Sequence, residues 1–165
     1  MQNAFVAAAD EFVGEGMRKS GIALTETLRH YIAITLARFM RDNPRLDRLT
    51  IRTVAAFEAR APDSALRQLG DECLIATSLF EARLRRAGGS LRHYMGLGQT
   101  AYDAAAMTEQ AFCFPHMRDV IVSATGTAPR PLSALVDAAR GGSTLARAEL
   151  ERGNVVPFPA RRWIG

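Results

Sequence analysis

Lysine is all but missing from this chain: of its 21 basic side chains, every one except Lys19 is an arginine. Arginine is permanently charged and makes bidentate contacts with phosphate and carboxylate, but a GC-rich coding sequence produces the same bias. The arginines are interleaved with 17 acidic residues, for a net charge of +4. Only Arg83-Arg85-Arg86 and Arg161-Arg162 form short clusters. That spread describes a solvated face more readily than a nucleic-acid groove. Cysteine is also scarce. Cys73 and Cys113 sit inside apolar helical patterns, too few for a disulfide scaffold, and read as buried thiols of a reducing cytoplasm.

Long apolar runs are absent. The stretch from Gly21 to Met40 is interrupted by Glu26, Arg29, His30 and Arg38, whereas a bilayer span needs about 20 largely uncharged residues. Asp10 and Glu11 fall where a secretory leader would carry its apolar core. A cytoplasmic protein with no membrane segment is expected. Several catalytic signatures are missing too: a phosphate loop ending in Gly-Lys-Ser/Thr, a strand–GxGxxG–helix unit, CxxC, HExxH and GxSxG. No Glu-x-x-His occurs, although a carboxylate-bridged di-metal bundle needs two. His116 and Asp119 share a helix turn, but one such pair arises readily by chance. No metal and no cofactor is expected.

What is present is alanine in abundance, few β-branched residues and 48% apolar side chains, which favour helix over sheet. At 165 residues one domain is the natural size. Apolar residues recur at helical spacing over 3–18, 22–41, 49–60, 65–87, 91–107, 108–124, 132–140 and 143–152. Breaks fall at Ser20-Gly21, Asp42-Asn43-Pro44, Ala61-Pro62-Asp63, Gly88-Gly89 and Gly141-Gly142. Asp63 or Ser64 is a candidate cap for the fourth helix, and Ser90 for the fifth. Pro115 should kink the sixth helix or delay its start. The expectation is all-α: a single compact bundle of about six to eight helices over 1–153. An extended tail over 154–165 carries Phe158 and Trp163.

Candidate chemistry concentrates between residues 69 and 105. Gly70 sits in mid-helix, where glycine costs about 1 kcal/mol relative to alanine, and so points to close helix contact. A buried Asp71 beside it would need an arginine or a tyrosine hydroxyl as partner. Glu72 follows directly, but neighbours on a helix point in different directions. Tyr94 and Tyr102 lie about two turns apart with His93 beside the first, and could line a pocket or serve as core residues with one wet end. Gly98, Ala101 and Ala105 would let a neighbouring backbone approach.

The stretch LGDECLIATSLFEARLRRAGGSLRHYMGLGQTAYDAAA resembles an uncharacterised bacterial, largely proteobacterial, helical family. The resemblance rests on Leu69-Gly70-Asp71, Leu74, Leu79-Phe80-Glu81, Arg85-Arg86, Tyr94, Leu97-Gly98 and Ala101-Tyr102. It covers under a quarter of the chain, implies a helical fold and carries no activity. It marks Gly70, Asp71, Arg86, Tyr94 and Tyr102, with His93, as a ligand-binding or structural polar cluster. Function then divides three ways. The first is a protein acting through contacts with itself or another protein, motivated by the small-residue face and the tail. The second is a basic nucleic-acid-binding module. The third is a small-molecule- or metal-binding helical enzyme using a polar pocket between the fourth and fifth helices.

Overall fold

The computed structural model describes residues 2–126 and 130–153. They form nine helices and no strand: α1 (Gln2–Ser20), α2 (Glu26–Arg41), α3 (Leu49–Glu58), α4 (Asp63–Leu79), α5 (Glu81–Arg86), α6 (Leu91–Ala104), α7 (Thr108–Ala124), α8 (Leu132–Arg140) and α9 (Thr144–Arg152). The expected all-α bundle is present. None of these helices is long and apolar enough to cross a membrane. The expected C-terminal tail lies outside the described residues.

Side-chain caps set three of the boundaries. Thr25 accepts from the Leu28 N–H at 3.2 Å, so α2 starts later than the apolar pattern alone predicts. Gly21, at φ +70°, turns the chain out of α1 first. Ser90 accepts from His93 N at 3.3 Å and Ser143 from Ala146 N at 3.0 Å, opening α6 and α9. The fourth helix departs from expectation at its start. Asp63 is its first residue and no side chain caps it; the carbonyl of Pro62 receives the N–H groups of Ala65 and Leu66.

The expected single helix over 65–87 is two helices, broken at Phe80 (φ −120°, ψ 26°). Arg118 of α7 explains the break. Its Nε donates to the Thr77 carbonyl at 3.0 Å, an acceptor that a continuing helix would present to the N–H of residue 81. Pro115 does not interrupt α7. It lacks the N–H that would bond the Ala111 carbonyl, and Gln99 of α6 donates to that oxygen at 3.3 Å instead.

The centre of the molecule is α4, α6 and α7, flanked by α1 and α2. The main core gathers Val13, Leu28, Ile32, Leu74, Ile75, Met95, Phe114 and Ile121, each buried. The α8–α9 hairpin has a smaller core of Leu91, Leu135, Ala138, Ala146 and Leu150. Two carboxylates clamp it in place. Asp137 of α8 accepts from Ser90 Oγ at 3.0 Å and Leu91 N at 2.5 Å, at the start of α6. Asp119 of α7 accepts from Ser143 Oγ at 2.7 Å and Leu145 N at 3.3 Å, at the start of α9. Each negative charge therefore meets the positive end of a helix dipole.

Two glycines of α6 differ sharply in surroundings. A Cβ on Gly98 would strike the Phe114 ring and lie 2.9 Å from Cys73 Cβ, whereas one on Gly96 meets nothing within 4 Å. Gly98→Ala is expected to lower stability by about 1–3 kcal/mol through overpacking. Gly96→Ala should raise it by about 0.5–1 kcal/mol, because alanine loses less backbone entropy. Urea unfolding of both variants checks the contrast, and equal signs would contradict it.

Candidate functional site

Asp71 lies near the middle of α4 with no exposed surface. Three helices supply its partners. On α2, Tyr31 and Arg38 are seven residues apart and so share a face. Tyr31 donates its hydroxyl to Asp71 Oδ1, and Arg38 Nη2 donates to Oδ2 at 2.7 Å. From α6, the Tyr102 hydroxyl also donates to Oδ1, at 2.7 Å. Arg67, one turn earlier on α4, brings Nε to 4.0 Å of Oδ2 and stacks its guanidinium 5.0 Å from the Tyr31 ring centroid.

Gly70 admits the Tyr102 ring, since a Cβ there would lie 2.6 Å from two ring carbons. This is the close helix contact expected of a mid-helix glycine. The Tyr31 and Tyr102 rings meet edge to face with centroids 6.1 Å apart, and Tyr102 then leans on Phe114 at 6.0 Å.

Electrostatics keep both phenols protonated. Burial is the larger cause and the Asp71 carboxylate the next, and together they push the Tyr31 and Tyr102 hydroxyls well above the ordinary tyrosine range. Each is therefore a donor, and Oδ1 receives two of them. With Arg38 on Oδ2, the carboxylate is engaged on both oxygens and presents no free acceptor to a ligand. A hollow of about 510 Å³ is lined by its neighbours Arg38 and Arg67, with Asp63, Ser64 and Gln68, but not by Asp71. The seam between α4 and α6 is packed, and the arrangement joins α2, α4 and α6 through one charge.

Glu72 is also buried but faces another way. It accepts from Arg52 of α3 at 2.5 Å and from Gln68 at 3.3 Å. The neighbouring carboxylates thus serve different helices, and neither points to solvent.

The structure brings together three of the residues singled out from sequence, Gly70, Asp71 and Tyr102. Tyr94 is eight positions from Tyr102, two turns plus about 80°, and its ring packs on Gly89 instead. His93 stacks edge-on against Tyr94 at 5.1 Å and places Nε2 2.9 Å from Thr50 Oγ1. Arg86 is exposed in the last turn of α5. Sequence reasoning passed over Tyr31, Arg38 and Arg67. Arg67 was legible at i, i+4 from Asp71, whereas Tyr31 and Arg38 sit within the stripe of a core helix.

A second buried charge was also passed over. Arg118 is fully buried, with its guanidinium 3.2 Å from Glu81 Oε2 and 3.3 Å from Asp119 Oδ1. Burial lowers its pKa and raises that of Asp119, which Ser143 and Arg118 pull back down. The helical spacing of His116 and Asp119 makes no shared site. Asp119 is committed to Arg118 and the start of α9. Among the described residues no three His, Cys, Asp or Glu side chains gather around a point where a metal could sit.

No family model, no curated protein and no solved structure matches this chain.

Removing the Asp71 carboxylate leaves two phenols and a guanidinium without their acceptor. Asp71→Ala is expected to cost about 3–5 kcal/mol, and Tyr102→Phe about 1–3 kcal/mol because it deletes a hydrogen bond to a buried charge. Both tyrosine pKa values are raised in the folded state, so their contribution is complete below the unfolded value of about 10. It is lost as the pH rises from there toward the folded values. Denaturant titrations at pH 8 and pH 10.5 should show the wild type weakening, with less further loss in Tyr102→Phe. A flat profile in the wild type would contradict the assignment.

Proposed function

We propose that this protein acts by self-association through an apolar groove between α1 and α2, in a reducing cytoplasmic setting. The carrying observation is the groove itself. It encloses about 920 Å³ lined by Phe5, Val6, Ala33, Ile34 and Ala37. Phe5 and Ile34 remain 39% and 40% exposed there. Large apolar side chains gathered in one concavity, with polar residues at the rim, are the usual mark of a docking surface.

The polar residues divide the groove into two ends. Asp10 and His30 lie at one end, and Arg38 and Arg41 at the other. A two-fold axis across the groove would set the same apolar surface of two copies face to face. Phe5 and Ile34 of each copy would then enter the other's groove. The setting is supported by Cys73, an unpaired buried thiol whose pKa burial pushes up to about 12, with Glu72 adding to the effect.

The sequence motive for association changes in one respect. The small-residue face of 98, 101 and 105 is spent within the fold, where Gly98 lies under Phe114 and Ala101 and Ala105 are buried. The apolar groove takes its place.

Native mass spectrometry against the denatured mass is expected to show a dimer. Ile34→Asp should return it to a monomer with unchanged helicity, raising the dissociation constant roughly 100-fold, since an unpaired carboxylate is costly to bury. A monomeric wild type at tens of micromolar would sink the proposal. A dimer that survives Ile34→Asp would place the interface elsewhere.

A further inference from the structure

We propose that the corner formed by α5, the turn over 87–90 and the first turn of α6 docks on the phosphate backbone of double-stranded nucleic acid. It shares no residue with the α1–α2 groove and does not depend on it. No acidic residue occurs from Ala82 to Tyr102, while Arg83, Arg85, Arg86 and Arg92 all fall in that stretch. From the first helix to Glu81 arginines and acids are interleaved. Pairing in the fold sorts them.

Arg18, Arg29, Arg38, Arg52, Arg67 and Arg118 each have a carboxylate within 4.0 Å. Among the described residues none of the four arginines at the corner has one. Arg83 and Arg86 are exposed, three apart on α5, and Arg92 is exposed at the start of α6. Arg85 reaches Ser133 of α8 at 2.6 Å. Two carboxylates lie at the corner: Glu81, which opens α5, is turned to Arg118 and Arg130 at 3.2 and 3.7 Å, and Asp137 has its oxygens committed to Ser90 Oγ and Leu91 N. The corner is therefore a concentration of uncompensated guanidinium groups, the chemistry that binds phosphate bidentately.

The surroundings select the kind of polyanion. Single strands are held by stacking bases on exposed aromatic rings; of the two rings beside Arg92, His93 is engaged edge-on with Tyr94 and with Thr50 Oγ1, and Tyr94 packs on Gly89. Membrane surfaces are held by charge together with inserted apolar side chains. The large exposed apolar residues include none between 82 and 102, and Leu132 beside Ser133 stands singly. A duplex backbone needs neither device, and contacts to phosphate carry no sequence information, so the binding proposed is independent of sequence.

Fluorescence anisotropy of the full chain with a labelled DNA duplex tests this. With about three phosphates engaged, affinity should fall roughly 50-fold between 50 and 200 mM salt. Each Arg→Ala at 83, 86 or 92 should reduce the logarithmic salt slope by about 1. Arg83→Glu, Arg86→Glu and Arg92→Glu together should abolish binding. The same charge change on Arg18, Arg147 and Arg152 should leave most of it, with circular dichroism confirming helicity in both. The proposal is overturned by an absence of binding at low salt, or by equal losses in the two triple variants. It is also overturned if loss is confined to Arg161→Ala with Arg162→Ala, or if phosphatidylserine vesicles are bound and the duplex is not.

Discussion

A carboxylate with no exposed surface has to be met from every side, and the way Asp71 is met governs how the first two-thirds of the chain assembles. Two phenols converge on one oxygen and a guanidinium on the other. Each donor comes from a helix that could otherwise slide or rotate over apolar neighbours. Hydrophobic burial is non-directional and would tolerate several registers of α2 against α4. A hydrogen-bonded charge would not, because a shift by one turn leaves it unsatisfied in a low dielectric. Gly70 belongs to the same device, since only a missing side chain lets the Tyr102 ring come close enough for its hydroxyl to reach across.

Arg118 applies the same logic with the opposite sign, and it shows why one helix boundary could not be read from sequence. The apolar seam of α4 continues smoothly into α5 through Phe80 and Leu84, so periodicity predicts one helix. The break exists because a guanidinium from a distant helix takes the Thr77 carbonyl. Nothing local announces that. Pro115 is the converse case: a local signal for interruption is cancelled by Gln99, twelve residues from the carbonyl it satisfies.

The remaining elements were legible because their causes are local. Ser90 caps the helix that follows it as expected, and the Pro and Gly breaks fall between helices as their backbone preferences require, whereas the Thr25 cap moves the start of α2 past the apolar pattern. Among the candidate site residues, Asp71 and Gly70 were legible as anomalies, a charge and a glycine inside a helix pattern. Their partners on α2 were not. Tyr31 belongs to a stripe whose periodicity is explained by core packing, and Arg38 shows only as one of four charges or histidines interrupting that stretch, with nothing in the one-dimensional pattern to say which acceptor it meets. Arg86 entered through the family resemblance and Tyr94 also through its spacing from Tyr102, but eight residues is two turns plus about 80°, so the two rings diverge.

One residue type therefore serves three environments, and burial decides which. A buried arginine such as Arg118 has to be surrounded by acceptors, or its charge would be uncompensated at high cost. One at the margin, such as Arg38, reaches inward to Asp71 while its stem and remaining donors line the α1–α2 groove. Fully outside, Arg83, Arg86 and Arg92 keep their donors unspent. The two proposed surfaces differ in how they relate to the core. The groove shares Arg38 with the Asp71 tie, so altering that residue would disturb packing and docking together, and Ile34 is the residue that separates them. The basic corner has no such link among its exposed arginines, since α5 contributes to the core only through Leu84. Its charge can be removed without unseating a buried partner.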